Sequence, residues 1–115
     1  MVKTTSYQLG VAAEDLAAKH FKVLDFFLIA KRYKTKYGEI DLIVSKNNQL
    51  IFVEVKARSK KIVLENIITR KQIERNYSAA EFFLSEFPEY STYDCRFDLL
   101  ILYQNRIVQH IFNIN

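Results

Sequence analysis

Two apolar runs separated by a pair of asparagines constrain the fold more than any other feature of this chain. Residues 42–44 are Leu-Ile-Val and residues 50–53 are Leu-Ile-Phe-Val, and β-branched and aromatic residues of this kind favour strands. Asn47 and Asn48 between them tolerate the positive φ angles that a two-residue hairpin turn requires. The sequence therefore predicts a β-hairpin centred on the two asparagines.

The predicted register brings charged side chains together at the open end of this hairpin. Counting outward from the turn, Asp41 falls opposite Glu54 and Glu39 falls opposite Lys56, all on one face because side chains alternate with a period of two. Directly opposed Cβ atoms lie roughly 4.5–5.5 Å apart, so two ionised carboxylates there repel each other unless a cation or a proton separates them. Mg²⁺ is typically held by one or two carboxylates together with water and substrate phosphates. We therefore predict a divalent-metal site at this end.

The same residues also fit an ordinary strand surface, because a Glu-x-Lys pair on an exposed strand contributes only about 0–1 kcal/mol as a solvated ion pair. The flanking residues favour burial instead. Leu50 and Phe52 share a face with Glu54 and Lys56, and apolar residues fill the opposite face. Buried acids and lysines need partners or a function, whereas a register shift of one residue would separate the two acids.

Composition narrows the classes of protein. The 115 residues with 50% hydrophobic content predict one domain, and no apolar run approaches the roughly 18–20 residues of a membrane span. The segment Ala12–Ala18 is interrupted by acids and is no signal-like core, so a cytoplasmic protein is the default expectation. The single cysteine, Cys95, excludes an internal disulfide, and together with His20 and His110 it gives no zinc-ligand spacing. Both histidines are expected to be structural.

Basic residues flank the predicted acidic site. A basic rim around an acidic metal centre suits a polyanion such as nucleic acid, although solvated lysines on edge strands would give the same pattern. In the second predicted helix, Lys71 and Arg75 form a like-charge i,i+4 pair that phosphate contacts or simple solvation would explain. The two strand-associated clusters are Arg32, Lys34 and Lys36, and Lys56, Arg58, Lys60 and Lys61.

The predicted elements follow the order αβββαββ. A crossover through the second helix permits one parallel strand pair, which gives an α/β fold with a mixed sheet and a helix on each face. Glu14 in the first helix is a candidate third acid of the site, or else a solvated helix residue. The predicted bounds are Thr5 or Ser6 to Lys22 for the first helix, 26–34, 39–45 and 50–58 for three strands, 65 or 66 to 87 for the second helix, and 96–102 and 107–114 for the last strands.

Several short motifs carry a family resemblance. They are Gly10 and Glu14, Gly-Glu-Ile-Asp-Leu-Ile at 38–43, Phe-Val-Glu-Val-Lys-Ala-Arg at 52–58, Lys71, and Arg-Phe-Asp at 96–98. With these motifs, residues 1–115 resemble the YraN-like family, small bacterial proteins regarded as predicted nucleases of the restriction-endonuclease-like PD-(D/E)xK superfamily. Two features depart from the usual family pattern and bear on substrate choice: a short 59–66 connection without glycine, and Arg32 where an Asn is common.

The resemblance implies a restriction-endonuclease-like fold and a metal-dependent nuclease that uses Mg²⁺ or Mn²⁺. Under it, Asp41 and Glu54 match the metal-binding acids and Lys56 the catalytic lysine, while Glu14 and the Val55 carbonyl are further candidate ligands. Asp98 has no role that transfers and is expected to be a structural acid.

The expected partner is nucleic acid, with DNA as the first expectation, and a homodimer is suggested by analogy with resolvase-like proteins. Two alternatives stay open: a nucleic-acid-binding module that does not cleave, and a protein-interaction subunit of a repair or DNA-uptake complex. The residues expected to contact the phosphate backbone are Arg32, Lys34, Lys36, Arg58, Lys71 and Arg75.

Overall fold

The computed structural model describes residues 6–58 and 68–114. The predicted order of elements is confirmed, and a short 3₁₀ turn at Pro88–Tyr90 is added. None of the described helices has the length and apolar character needed to cross a membrane. The elements are α1 (Ser6–Val23), β1 (Phe27–Lys34), β2 (Glu39–Lys46), β3 (Gln49–Arg58), α2 (Arg70–Glu86), β4 (Asp94–Tyr103) and β5 (Arg106–Ile111).

The five strands form one mixed sheet in the order β1-β2-β3-β4-β5. Neighbouring strands are antiparallel except for β3 and β4, which are parallel along their whole length, from Gln49 beside Asp94 to Arg58 beside Tyr103. A parallel pair needs a crossover connection, and α2 lies within the connection between these two strands. The predicted mixed α/β fold with two helices is therefore confirmed.

The predicted hairpin between β2 and β3 is present. Asn47 and Asn48 have φ angles of 50° and 63°, which is the left-handed conformation that a tight hairpin turn requires. The ladder begins with Lys46 paired to Gln49, so the predicted register holds at the turn.

The helices pack on opposite faces of the sheet and bury a core on each side. On β3, Ile51 and Val53 belong to the core under α1, whereas Leu50 and Phe52 belong to the core under α2. This alternation confirms that β3 is buried on both faces, as the flanking apolar residues predicted. The charged residues near the end of this strand consequently lie at the edge of the core.

Helix α2 begins later than the sequence predicted. The expected start at residue 65 or 66 lies outside the described residues, but a helix that runs through Thr69 is wrong, because Thr69 has an extended backbone (φ −90°, ψ 157°) and its hydroxyl accepts a hydrogen bond from Gln72 N at 3.1 Å. Thr69 is thus the N-cap of α2. Thr is one of the residues preferred at this position, where the backbone is not helical. The helix ends before Pro88 as predicted, with the Phe87 N–H bonded to the Phe83 carbonyl.

Candidate functional site

Strands β2 and β3 part where the hairpin leaves the core. Their described ladder ends with the pair Leu42–Val53. In a continued antiparallel ladder the next inward-facing amide, Val55 N–H, would donate to a carbonyl of β2. It donates instead to the side chain of Asp41, with 2.8 Å between N and Oδ2. A carboxylate therefore takes the place of the next ladder bond.

This separation corrects two predicted cross-strand pairs. Asp41 with Glu54, and Glu39 with Lys56, are not pairs of the ladder described for these strands. The structure nevertheless brings the three predicted catalytic residues together. Asp41 and Glu54 line one cavity of about 520 Å³, and the Lys56 ammonium lies 3.2 Å from Glu54 Oε1.

The cavity is lined by residues of both helices and of the first three strands, which places it at one end of the sheet. Acidic, basic and amide side chains all contribute to its wall. The lining residues are Glu14, Arg32, Lys34, Gly38, Glu39, Asp41, Glu54, Gln72, Arg75 and Asn76.

The electrostatic surroundings of Asp41 oppose its ionisation. Burial raises the pKa of Asp41 to about 7, with the Glu54 carboxylate as the next largest cause and Glu14 adding to it. The Val55 amide and the Lys56 ammonium act in the opposite direction without restoring the ordinary value. At neutral pH, Asp41 consequently retains a proton far more readily than an ordinary aspartate does unless a cation approaches.

Glu54 is held by two amide side chains of α2. It is only 8% exposed, its Oε1 accepts from Gln72 Nε2 at 2.9 Å, and its Oε2 accepts from Asn76 Nδ2 at 3.3 Å. Gln72 and Asn76 are four residues apart and so lie on one face of the helix. They are site residues that sequence reasoning missed. Their spacing behind an N-capping threonine was the available signal.

Glu14 reaches the same cavity from α1 but is paired there with arginine. Its Oε1 accepts from Arg32 Nε at 2.6 Å. Arg32 has a φ of 50° inside β1, a left-handed conformation that costs roughly 1–2 kcal/mol for a residue other than glycine. Asn adopts that conformation more readily than Arg. Strained backbone of this kind is concentrated at functional sites.

The donor set fits Mg²⁺ or Mn²⁺ better than zinc. Within residues 6–58 and 68–114, no three His, Cys, Asp or Glu side chains are grouped so as to hold a metal ion. Two adjacent carboxylates, Asp41 and Glu54, are sufficient for Mg²⁺ when water and phosphate oxygens supply the remaining ligands, whereas structural zinc needs four protein ligands. The pKa of Asp41 is raised first by burial and next by the Glu54 carboxylate, and a bound cation would offset the repulsion between the two acids. Ligand roles for Glu14 and the Val55 carbonyl remain predictions.

The predicted phosphate-binding residues divide into two groups. Arg32, Lys34 and Arg75 line the cavity. Lys36 and Lys71 are exposed and do not belong to its described wall. Exposed Arg58 ends β3 and donates to the neighbouring Ala57 carbonyl, while Lys60 and Lys61 lie outside the described residues.

A second buried carboxylate, Asp98 on β4, has very different surroundings. It is fully buried and accepts bonds from Arg96 Nε at 3.0 Å, His110 Nε2 at 2.8 Å and Asn113 N at 3.0 Å. Burial acts to raise the pKa of Asp98, but these bonds outweigh it and lower the pKa. His110 Nδ1 is in turn hydrogen-bonded to His20 Nε2 at 3.1 Å. These contacts agree with the expectation of a structural acid and two structural histidines.

Comparison with known sequences gives a consistent set of relatives. A model of "Uncharacterised protein family UPF0102" matches residues 13–102. A UPF0102 protein of Rhodopseudomonas palustris (strain BisB5) is 35% identical over 109 residues, which cover 95% of this chain and 83% of the relative. One of Nitrobacter winogradskyi is 34% identical over 110 residues, covering 96% and 93%. One of Bartonella tribocorum is 38% identical over 106 residues, covering 92% and 82%.

Proposed function

This chain belongs to the uncharacterised protein family UPF0102, and for it we propose a divalent-metal-dependent phosphodiesterase that cleaves nucleic acid. The proposal includes the restriction-endonuclease-like arrangement that the sequence motifs imply. One observation carries it: Asp41 and Glu54 share a cavity in which burial and mutual repulsion raise the pKa of Asp41 to about 7. Acidic groups arranged to repel each other beside a lysine are characteristic of sites that bind a cation.

Asp41 and Glu54 hold the metal in this proposal, with Glu14 and the Val55 carbonyl as further candidate ligands. When bound, Mg²⁺ or Mn²⁺ polarises a phosphoryl oxygen and lowers the pKa of a coordinated water molecule. Gln72 fixes the orientation of the Glu54 carboxylate from α2 through the bond at 2.9 Å.

Lys56 has the electrostatic role. Its ammonium group lies 3.2 Å from Glu54 Oε1, so it is within reach of any phosphoryl oxygen bound beside that carboxylate. A fixed positive charge there stabilises the negative charge that develops on the phosphoryl group. Arg32, Lys34 and Arg75 line the same cavity and attract the phosphate backbone without reading base identity.

A binding protein that does not cleave is the second candidate, and one feature favours it. Two acids of the cavity already have partners in the protein. Glu54 contacts Lys56 and two side-chain amides, and Glu14 pairs with Arg32. In that case the acidic groups stabilise the fold, and only the basic residues contact nucleic acid.

A cleavage screen separates the two candidates. Plasmid, branched DNA, single-stranded DNA and RNA are incubated with wild type in Mg²⁺, in Mn²⁺ and in EDTA. The matched variants are Asp41→Asn in the cavity and Asp15→Asn on α1, where an exposed acid pairs with Lys31. We expect metal-dependent cleavage that Asp41→Asn abolishes and Asp15→Asn leaves intact. Cleavage that survives Asp41→Asn would reject the proposed site, and salt-dependent binding without cleavage would favour the second candidate.

A further inference from the structure

We propose that Tyr37 is a stacking platform for an unpaired base, so that the cavity takes a nucleic acid with an unpaired nucleotide beside the bound phosphate. The inference rests on the proposed function only in requiring that the ligand be nucleic acid. Tyr37 lies in the turn between β1 and β2, next to Gly38, which lines the cavity.

Thr35 holds this turn in one conformation. Its N–H donates to the Gly38 carbonyl at 2.9 Å, and its hydroxyl oxygen accepts from Tyr37 N at 3.0 Å and from Gly38 N at 3.1 Å. The backbone that carries Tyr37 is therefore fixed before any ligand arrives. A preorganised contact loses less conformational entropy on binding than a mobile one.

The turn lies directly against α2 at Gly38. A Cβ atom at this position would lie 3.4 Å from Arg75 Cβ, which is ordinary van der Waals contact with the helix. Gly38 and Arg75 both line the cavity, which means that the turn forms part of its rim. Tyr37 adjoins this rim through Gly38, and its own ring packs against Phe82, about two helical turns along α2 from Arg75.

The Tyr37 ring is supported on one side and accessible on another. It is 46% exposed, and its centre lies 6.3 Å from that of Phe82 on α2, with 60° between the ring planes. The Lys36 ammonium lies over the ring, 5.2 Å from its centre, and Lys34 lines the cavity. An exposed aromatic ring accompanied by lysines matches the way in which proteins bind single strands, by stacking bases and neutralising the backbone.

A base inside a continuous duplex cannot use such a platform. Its two faces are covered by neighbouring bases, so stacking on Tyr37 requires a nucleotide that is already unpaired or is displaced at some energetic cost. The geometry therefore favours single strands, frayed ends or branches over uninterrupted duplex. The base on Tyr37 would belong to a nucleotide adjoining the phosphate in the cavity.

The test measures binding in EDTA, where cleavage cannot interfere. Single-stranded and duplex oligonucleotides of the same sequence carry 2-aminopurine, whose fluorescence is quenched by stacking on an aromatic ring. We expect Tyr37→Leu to weaken single-strand binding about tenfold, to change duplex binding less than about twofold, and to reduce quenching. Tyr37→Phe should retain both affinity and quenching.

Tyr77→Leu is the matched control, because Tyr77 is 37% exposed on α2 and packs on Phe97 away from the cavity wall. It should behave as wild type. Equal losses on single strand and duplex for Tyr37→Leu, or quenching absent from wild type, would overturn the inference while leaving the proposed function standing. The wild-type quenching comparison remains decisive even where a variant fails to fold. Wild type that binds neither oligonucleotide in EDTA yet cleaves in Mg²⁺ would overturn the inference alone, and wild type that neither binds nor cleaves would reject the proposed function itself.

Discussion

Asp98 and Asp41 are aspartates on strands of the same sheet, yet the pKa of one is lowered and that of the other is raised. Asp98 is surrounded by the donors Arg96, His110 and Asn113 N–H, and its pKa is lowered although it is fully buried. Asp41 receives one amide bond, faces Glu54, and has a pKa raised to about 7. Burial acts in the same direction on both. The charge of the neighbours decides the outcome.

The difference shows how a structural acid is distinguished from a candidate functional one. A buried carboxylate with enough hydrogen-bond donors stabilises the fold. Two ionised acids that share a cavity reduce the stability of the fold until a cation binds between them. No described buried side-chain polar atom lacks a hydrogen-bond partner, so neither acid is distinguished by unmet hydrogen bonds. What sets Asp41 apart is a second carboxylate, Glu54, beside it, whereas Asp98 is surrounded by Arg96 and His110.

The largest expected effect is on the Asp98 network. Asp98→Asn removes the charge that pairs with Arg96 and His110, so we expect the free energy of unfolding to fall by about 3–5 kcal/mol. Urea denaturation at pH 7 measures this change. A loss below about 1 kcal/mol would remove the contrast between the two centres.

The substitution Asp41→Asn should change the free energy of unfolding in the opposite direction. In Asp41→Asn, a side-chain oxygen can still accept the Val55 amide, while the repulsion from Glu54 is relieved. At pH 8 without divalent metal we expect a gain of about 1–2 kcal/mol in the same urea experiment. With excess Mg²⁺, wild type should gain thermal stability and the variant should not. A destabilised Asp41→Asn would mean that this acid is structural as well.

The two acids also predict opposite dependences of stability on pH. The folded-state pKa of Asp41, about 7, exceeds its ordinary value of 3.8, so its stabilising contribution is complete below about pH 4 and is lost as the pH rises through 7. The pKa of Asp98 is lowered, so its contribution is present above the ordinary value and is lost in acid.

Melting temperatures of wild type and Asp41→Asn between pH 4 and pH 8, in EDTA, isolate the first contribution. Wild type should lose stability relative to the variant up to about pH 7, with a constant difference above that. Parallel curves over the whole range would contradict the assigned pKa.

The smallest expected effect is a difference in the salt dependence of nucleic-acid binding between basic residues that line the cavity and those that do not. Arg75 lines the cavity and Lys71 does not, so Arg75→Ala should lower the salt slope of nucleic-acid binding by about 1 and Lys71→Ala by less. Arg106→Ala, at an exposed position that begins β5, serves as the control. Equal salt slopes for Arg75→Ala and Arg106→Ala would mean that Arg75 is a solvated helix residue that does not contact phosphate.

The local part of this architecture was predictable from sequence. Asn47 and Asn48 determine the hairpin turn, and the alternation around Phe52 indicates a strand buried on both faces. Those inferences depend on residues close together in sequence. The parallel placement of β4 also followed, because a helix between two strands permits that crossover.

The finer geometry of the cavity was not predictable in this way. The predicted start of α2 missed the Thr69 cap, and with it the reason why Gln72 and Asn76 point toward Glu54. The left-handed backbone of Arg32 was also missed, because arginine carries no local preference for it. Both features depend on tertiary packing, which overrides intrinsic propensity.

The hydrogen bond between His20 and His110 has a consequence for the order of folding. It joins α1 to β5 across 90 residues, whereas Asp41 and Val55 are only 14 residues apart in the hairpin. Closing the longer loop costs more chain entropy, so the hairpin contact is expected to form earlier. A substitution of His110 should then accelerate unfolding and leave the folding rate nearly unchanged. The acidic end of the hairpin would thus be assembled before the first helix and the last strand are fastened together.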